Sequence, residues 1–112
     1  MNRASNFRIG EVILVGLNPT KGHEQHGIRP GLILPWLQQF GLIIIVPLTT
    51  VDKGWWTQIR ITTRESQLRE DSFALCHQIR ALSVERVHHT IGQINSLTLG
   101  KVKTVLSQVL KL

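Results

Sequence analysis

The sequence predicts an α+β domain: a strongly bent sheet or small barrel with one amphipathic helix packed on it. Three observations carry this expectation. Leu42-Ile43-Ile44-Ile45-Val46 is a continuous and largely β-branched run, the pattern of a central strand buried on both faces. Trp56 to Thr62 alternates, with Trp56, Gln58, Arg60 and Thr62 on one side and Thr57, Ile59 and Ile61 on the core side. Near the C-terminus, Leu99, Val102, Val105, Leu106, Val109 and Leu110 recur at helical spacing.

The elements follow in order. Residues 1–8 read as a loosely ordered basic lead, and residues 1–112 as a single domain. Glu11 to Leu17 is rich in Val, Ile and Leu and reads as the first strand. A polar loop over 18–29 follows. Pro30 to Leu34 reads as the second strand, opened by a proline, which a strand tolerates in its first position. Pro35 to Phe40 reads as a turn or wide loop. Pro47 is expected to end the third strand, or to put it near an edge. Asp52-Lys53-Gly54 forms the turn into the alternating strand. Ser72–Cys76 and His77–Leu82 are nearly continuous strands. Their alternation puts Phe73, Leu75, His77 and Ile79 on one side and Ala74, Cys76, Gln78 and Arg80 on the other, unless a bulge intervenes. Ser83 to Val87 reads as a short helical turn and His89 to Ile94 as a last, weak strand. Ser96 or Thr98 is expected to cap the C-terminal helix, and Gly100 weakens its first turn.

Composition narrows the function. An apolar content of 42% is enough for a core and unlike a disordered chain. Lys and Arg outnumber Asp and Glu by 13 to 7, a net charge of +6 that favours polyanion partners, nucleic acid first and a membrane surface second. The single Cys76 has no partner for an internal disulfide and no cysteine cluster for a metal. The N-terminal Met1-Asn2-Arg3-Ala4-Ser5-Asn6 lacks the apolar run of a signal peptide. The stretch from Gly41 to Leu48 is far short of the ~20 residues that span a bilayer. A soluble, cytoplasmic protein with no membrane partner is the expectation.

Three polar clusters stand out. The loop carries Lys21, His23, Glu24, Gln25, His26 and Arg29 between two apolar runs, more chemical variety than a connection needs. Pro47-Leu48-Thr49-Thr50 ends the most buried strand. Arg69-Glu70-Asp71-Ser72 is followed by His77, Gln78 and Arg80. Strand ends gather at a sheet rim, so the three can meet there. No zinc spacing, carboxylate cage, Walker loop or dinucleotide fingerprint is present, so no metal or cofactor is expected. What remains suits metal-free RNA cleavage. A His or Glu takes the 2′-hydroxyl proton, while Arg and Thr stabilise charge on the phosphoryl oxygens. From composition alone this is one option among several.

The arrangement resembles the MazF/PemK/Kid family, the toxin half of type II toxin–antitoxin pairs. Gly10-Glu11-Val12-Ile13-Leu14-Val15 is similar to its opening strand, and the run Leu17 to Pro30 to its signature loop, nearly residue for residue. Val46-Pro47-Leu48-Thr49-Thr50 resembles the strand that brings in a catalytic threonine. Lys53-Gly54-Trp55 and the segments Asp71-Ser72 and Cys76-His77-Gln78-Ile79-Arg80 resemble later family motifs. The resemblance implies an SH3-like small β-barrel with a C-terminal helix (the CcdB/PemK-like fold). It implies a homodimer that cuts single-stranded RNA at short sequences without metal, leaves a 2′,3′-cyclic phosphate, and is blocked by a cognate antitoxin.

Carried over residue by residue, the resemblance makes Arg29 and Thr49 the catalytic pair. It gives Lys21, His23, Glu24, Gln25, Thr50 and Gln78 to substrate binding or support of the site. His77 stands where several members carry an Asp assigned as general base, and Leu75 where some carry an Arg. An ordinary imidazole titrates near about pH 6.5, so His77 can take the base role; it can equally mark lost activity or a changed cutting preference. Trp55 and Trp56 can stack on RNA bases or belong to the core or a dimer interface. His26, His88 and His89 read as surface residues, and Asp71 as the start of a strand or the close of a turn. The alternative function is a non-catalytic, gyrase-poisoning relative or a degenerate member that binds only antitoxin or RNA. A general RNA-binding module is a third reading.

Overall fold

The computed structural model describes residues 7–19, 21–25 and 27–112 of the chain. The basic lead read over residues 1–8 therefore falls mostly outside the described residues, as do Thr20 and His26. Seven strands form one antiparallel sheet: β1 (Glu11–Gly16), β2 (Ile28–Leu37), β3 (Leu42–Thr49), β4 (Gln58–Ile61), β5 (Ser72–Leu75), β6 (Arg80–Ser83) and β7 (Val87–Gln93). A one-turn helix, α1 (Thr63–Ser66), follows β4, and α2 (Ser96–Leu110) closes the chain. The strand order is β4-β5-β3-β2-β1-β7, with β6 also paired to β3.

The apolar patterns explain which faces are buried. Ile43, Ile45 and Val46 are fully buried and Ile44 partly so, as expected of a strand covered on both sides. One face gathers Val12, Leu32, Val46, Leu48, Ile61 and Ala74 beneath Val102 and Leu106 of α2. The other gathers Ile13, Val15, Leu17, Ile33, Ile43, Ile45 and Leu82, with Trp36 and Val87 packed against them. Each such aliphatic side chain contributes about 2 kcal/mol on burial.

Several local expectations need correction. β2 runs on through Pro35 to Leu37, because register shifts after Ile33 let it pair Trp36 with Ile43 past the proline. Pro47 neither ends β3 nor puts it at an edge. β3 exchanges neighbours there, pairing with β6 over Leu42–Ile45 and with β5 at Leu48–Thr49, so the proline falls between two ladders. The alternating strand is shorter, beginning at Gln58, although its sides are as read: Thr57 and Ile61 are buried, Trp56 and Arg60 exposed. The expected alternation through 72–82 breaks at a 3-10 turn, Cys76–Gln78, which leaves Ala74, Leu75 and Cys76 all buried in succession. The helix cap is Asn95, whose side-chain oxygen accepts from Thr98 N–H at 2.8 Å.

The sheet is strongly bent and, among the described residues, does not close by hydrogen bonds. β4, β6 and β7 each pair on one side only, and α1, which follows β4, packs against β7. Gly92 makes this seam possible. A Cβ there would lie 2.4 Å from the Ser66 carbonyl oxygen and 2.6 Å from that of Glu65. Glu65 ties the seam to α2, accepting from Asn95 N–H at 2.6 Å and from the Thr98 hydroxyl at 2.9 Å. A carboxylate so placed also complements the positive end of the helix dipole.

Candidate functional site

The ends of β2 and β3 carry the best-formed part of the site. Gly31 pairs with Pro47, and two residues further along each strand stand Arg29 and Thr49. The β2–β3 ladder ends at Gly31–Pro47; just past it Arg29 pairs with Val15 of β1 and Thr49 with Phe73 of β5. Arg29 is exposed and Thr49 half-buried, at the rim of the face that holds Ile33 and Ile45. The Thr49 hydroxyl oxygen accepts from Val51 N–H at 3.2 Å. That bond uses an acceptor site only, so the hydroxyl hydrogen stays available to donate, as a phosphate oxygen requires. Thr50 is exposed just beyond.

The polar loop forms one wall. Leu17 N–H donates to the Gly27 carbonyl at 2.8 Å and Gly27 N–H to Asn18 Oδ1 at 3.1 Å, with Gly27 in the left-handed region at φ +76°. Glu24 closes an inner turn: its Oε1 accepts from Lys21 N–H at 2.6 Å. Lys21 and His23 are exposed, and Gln25 is half-buried. Two arginines hold the root of the loop, Arg80 donating to the Leu17 carbonyl at 3.3 Å and Arg86 to that of Asn18.

The 3-10 turn Cys76–Gln78 links that wall to the opposite one. The Gln78 side chain accepts from Gln25 N–H at 2.9 Å and donates to the His23 carbonyl at 3.3 Å. Both ends of its amide are engaged by the loop backbone, so Gln78 supports the loop. His77, one residue earlier, points to the other wall. Its Nδ1 lies 2.9 Å from the Thr57 hydroxyl, and Trp55 meets its ring edge-on with centroids 5.3 Å apart. Trp55 is 48% exposed and Trp56 64%, so neither belongs to the core. Gln58 braces this second loop, accepting from Lys53 N–H and donating to the Val51 carbonyl, both at 2.9 Å.

The three sequence clusters do not converge whole. Thr49 pairs with Phe73 near the start of β5, whereas His77 follows its end. The separation along β5 is roughly 10 Å by strand and 3-10 rise. Arg69, Glu70 and Asp71 lie at the far end of β5 from His77. Asp71 instead pairs with Arg60 and accepts from Thr63 N–H at 3.1 Å. The Arg60 hydrogen bond, then the Thr63 N–H, hold its carboxyl below the usual range. Cys76 is buried, and burial pushes its thiol up to about 11, which removes it as a nucleophile. Thr57 and Arg86 had no sequence signal as site residues. Thr57 reads as a core position of an alternating strand, and Arg86 reaches Asn18 across 68 residues.

The chain matches the family model described as PemK-like, MazF-like toxin of type II toxin–antitoxin system over residues 8–110. The endoribonuclease toxin MazF of Escherichia coli K12 is 33% identical over 78 residues, 67% of each chain. The endoribonuclease PemK of Escherichia coli is 31% identical over 116 residues, 96% of this chain and 87% of that protein. Among solved structures, MazF from Deinococcus radiodurans superposes with a TM-score of 0.81, covering 92% of this chain and 94% of that one, at 24% identity, a likeness of fold. An antiparallel sheet with a C-terminal helix and these matches together make the chain a member of the PemK-like, MazF-like toxins of type II toxin–antitoxin systems.

Proposed function

We propose that the chain is the toxin of a type II toxin–antitoxin pair and acts as an endoribonuclease on single-stranded RNA, with Arg29, Thr49 and His77 as its catalytic groups. It works as a homodimer in the cytoplasm and is restrained by a cognate antitoxin. The observation that carries the reading is the place of Arg29 and Thr49 on adjoining strands, each two residues beyond the Gly31–Pro47 pair that ends the β2–β3 ladder. A guanidinium fork and a hydroxyl able to donate match the oxygens of a phosphodiester.

In this mechanism His77 Nε2 takes the proton of the 2′-hydroxyl. The 2′-oxygen forms a bond to phosphorus, and the bond from phosphorus to the 5′-oxygen breaks. The departing 5′-oxygen takes a proton from water in the open groove, and His77 returns its own to solvent. The products are a 2′,3′-cyclic phosphate and a 5′-hydroxyl. Arg29 and the Thr49 hydroxyl stabilise the charge that grows on the non-bridging oxygens. The scissile phosphate lies between Thr49 and His77, within reach of the long Arg29 side chain. Exposed Lys21 and His23 meet the RNA from the loop wall, and Trp55 offers a face for a base, worth ~1–3 kcal/mol. Gln78, Gln25 and Glu24 keep the loop in shape through the bonds described above.

The test is end-mapping of single-stranded RNA incubated with the protein in EDTA. The expected result is cutting at defined short sequences, reduced at least ~100-fold in Arg29→Ala while circular dichroism stays unchanged. Arg29→Ala that cuts as fast as the parent sinks the assignment.

A further inference from the structure

Thr57 is 9% exposed, and its hydroxyl needs a hydrogen-bond partner in so buried a place. The partner is His77 Nδ1, at 2.9 Å. His77 itself is exposed. With Nδ1 engaged by the buried Thr57 on an exposed residue, Nε2 is the ring nitrogen left for solvent and substrate. Trp55 stands edge-on to the same ring, at an interplanar angle of 79°, and blocks its rotation. Turning the ring over would swap Nδ1 for a carbon and lose the bond. The ring is therefore held from two sides, on a 3-10 turn fixed by Cys76 N–H donating to the Thr57 carbonyl at 3.1 Å.

We propose that Thr57 is a positioning residue for this chain's cleavage: its hydroxyl oxygen accepts the Nδ1 proton of His77 and so keeps Nε2 open as the base. The inference rests on the reading of His77 given above. A hydroxyl in this place serves both protonation states. When neutral His77 carries its proton on Nδ1, Nε2 has the lone pair that takes the 2′-hydroxyl proton. After that transfer the imidazolium still donates from Nδ1 to the same oxygen, so nothing at the buried end has to rearrange. Preorganisation of this kind lowers the barrier without contacting RNA. It also accounts for a histidine serving in a segment where an unsupported imidazole would rotate freely.

The test compares single-turnover cleavage and histidine ring nitrogen spectra of the full-length protein. Thr57→Val keeps the shape and removes the hydroxyl. It is expected to lower kcat about tenfold, the worth of one hydrogen bond, and to leave KM within about twofold. Thr57→Ser restores kcat to within about threefold of the parent. In the parent, the His77 nitrogens show the proton on Nδ1. The inference is overturned by parental kcat in Thr57→Val, by Thr57→Ser as slow as Thr57→Val, or by a proton on Nε2 or a tautomer average like that of free imidazole. The spectrum decides the matter even if Thr57→Val does not fold. His77→Ala separates this inference from the reading beneath it. If it cuts like the parent, the base assignment falls; if it is inactive while Thr57→Val is not, only the role of Thr57 falls.

Discussion

At the seam, Gly92 lies against the backbone carbonyls of Glu65 and Ser66, and the Glu65 carboxylate is bonded into the first turn of α2. At the groove, segments as distant are joined by single side chains: Gln78 to the loop at 23–25, His77 to Thr57, Arg80 to Leu17. The seam is a close approach of backbones with no room for one extra methyl. The groove is held by single side-chain hydrogen bonds, most of them to exposed or half-buried main chain, with His77–Thr57 a bond between two side chains. Packing resists change in volume, whereas a solvent-facing hydrogen bond is worth little net, because water replaces it. The seam therefore tolerates little change in volume, whereas the contacts of the site can adjust.

Gly92→Ala is the strongest way to break this comparison. It forces α1 off β7 and is expected to lower stability by about 2 kcal/mol, read as a fall in Tm by circular dichroism. The molecules still folded at 25 °C should cut RNA at the parental rate. A folded Gly92→Ala that fails to cut would show the seam and groove to be coupled.

Gln78→Ala sharpens the other side. Loss of the two loop bonds is expected to raise KM roughly fivefold, equivalent to about 1 kcal/mol, and to speed amide exchange at Gln25. Its Tm should stay close to that of the parent. A fall as large as that of Gly92→Ala would mean the loop is part of the structural core.

The smallest effect is expected at Asp71→Asn. The Asp71 carboxyl is held low in the folded protein by Arg60 and the Thr63 N–H. A depressed value contributes stability above the unfolded carboxyl range, near about pH 4, and that contribution is lost as pH falls through the folded value. The Tm of Asp71→Asn should therefore trail the parent slightly at neutral pH, and the gap should close in acid. Because Arg60 is 66% exposed, screening keeps the difference small, and added salt should shrink it.

The bent sheet with its helix, the buried centre of β3 and the inward side of β4 were legible because burial repeats locally, every two residues in a strand and along one stripe of a helix. The loop from Leu17 to Pro30, with Arg29 and Thr49, was legible through its resemblance to a family pattern. The continuation of β3 through Pro47 was not, because a proline's tolerance depends on which strands flank it, and β3 changes neighbours there. The Asn95 cap was missed because Ser96 and Thr98 are equally good capping types, and only the helix start distinguishes them.

By itself, then, the sequence determined the elements, the sides that face the core, and the polar residues available for chemistry. Tertiary structure alone decided which of those residues meet. It turned Gln78 and Arg80 to holding the loop, sent Asp71 to Arg60, and made the core-facing Thr57 the partner of His77. The physical reason is range. A hydrophobic period is written within a few neighbouring residues, whereas a bond between Gln25 and Gln78 spans 53 positions and exists only once the sheet order has brought their strands together.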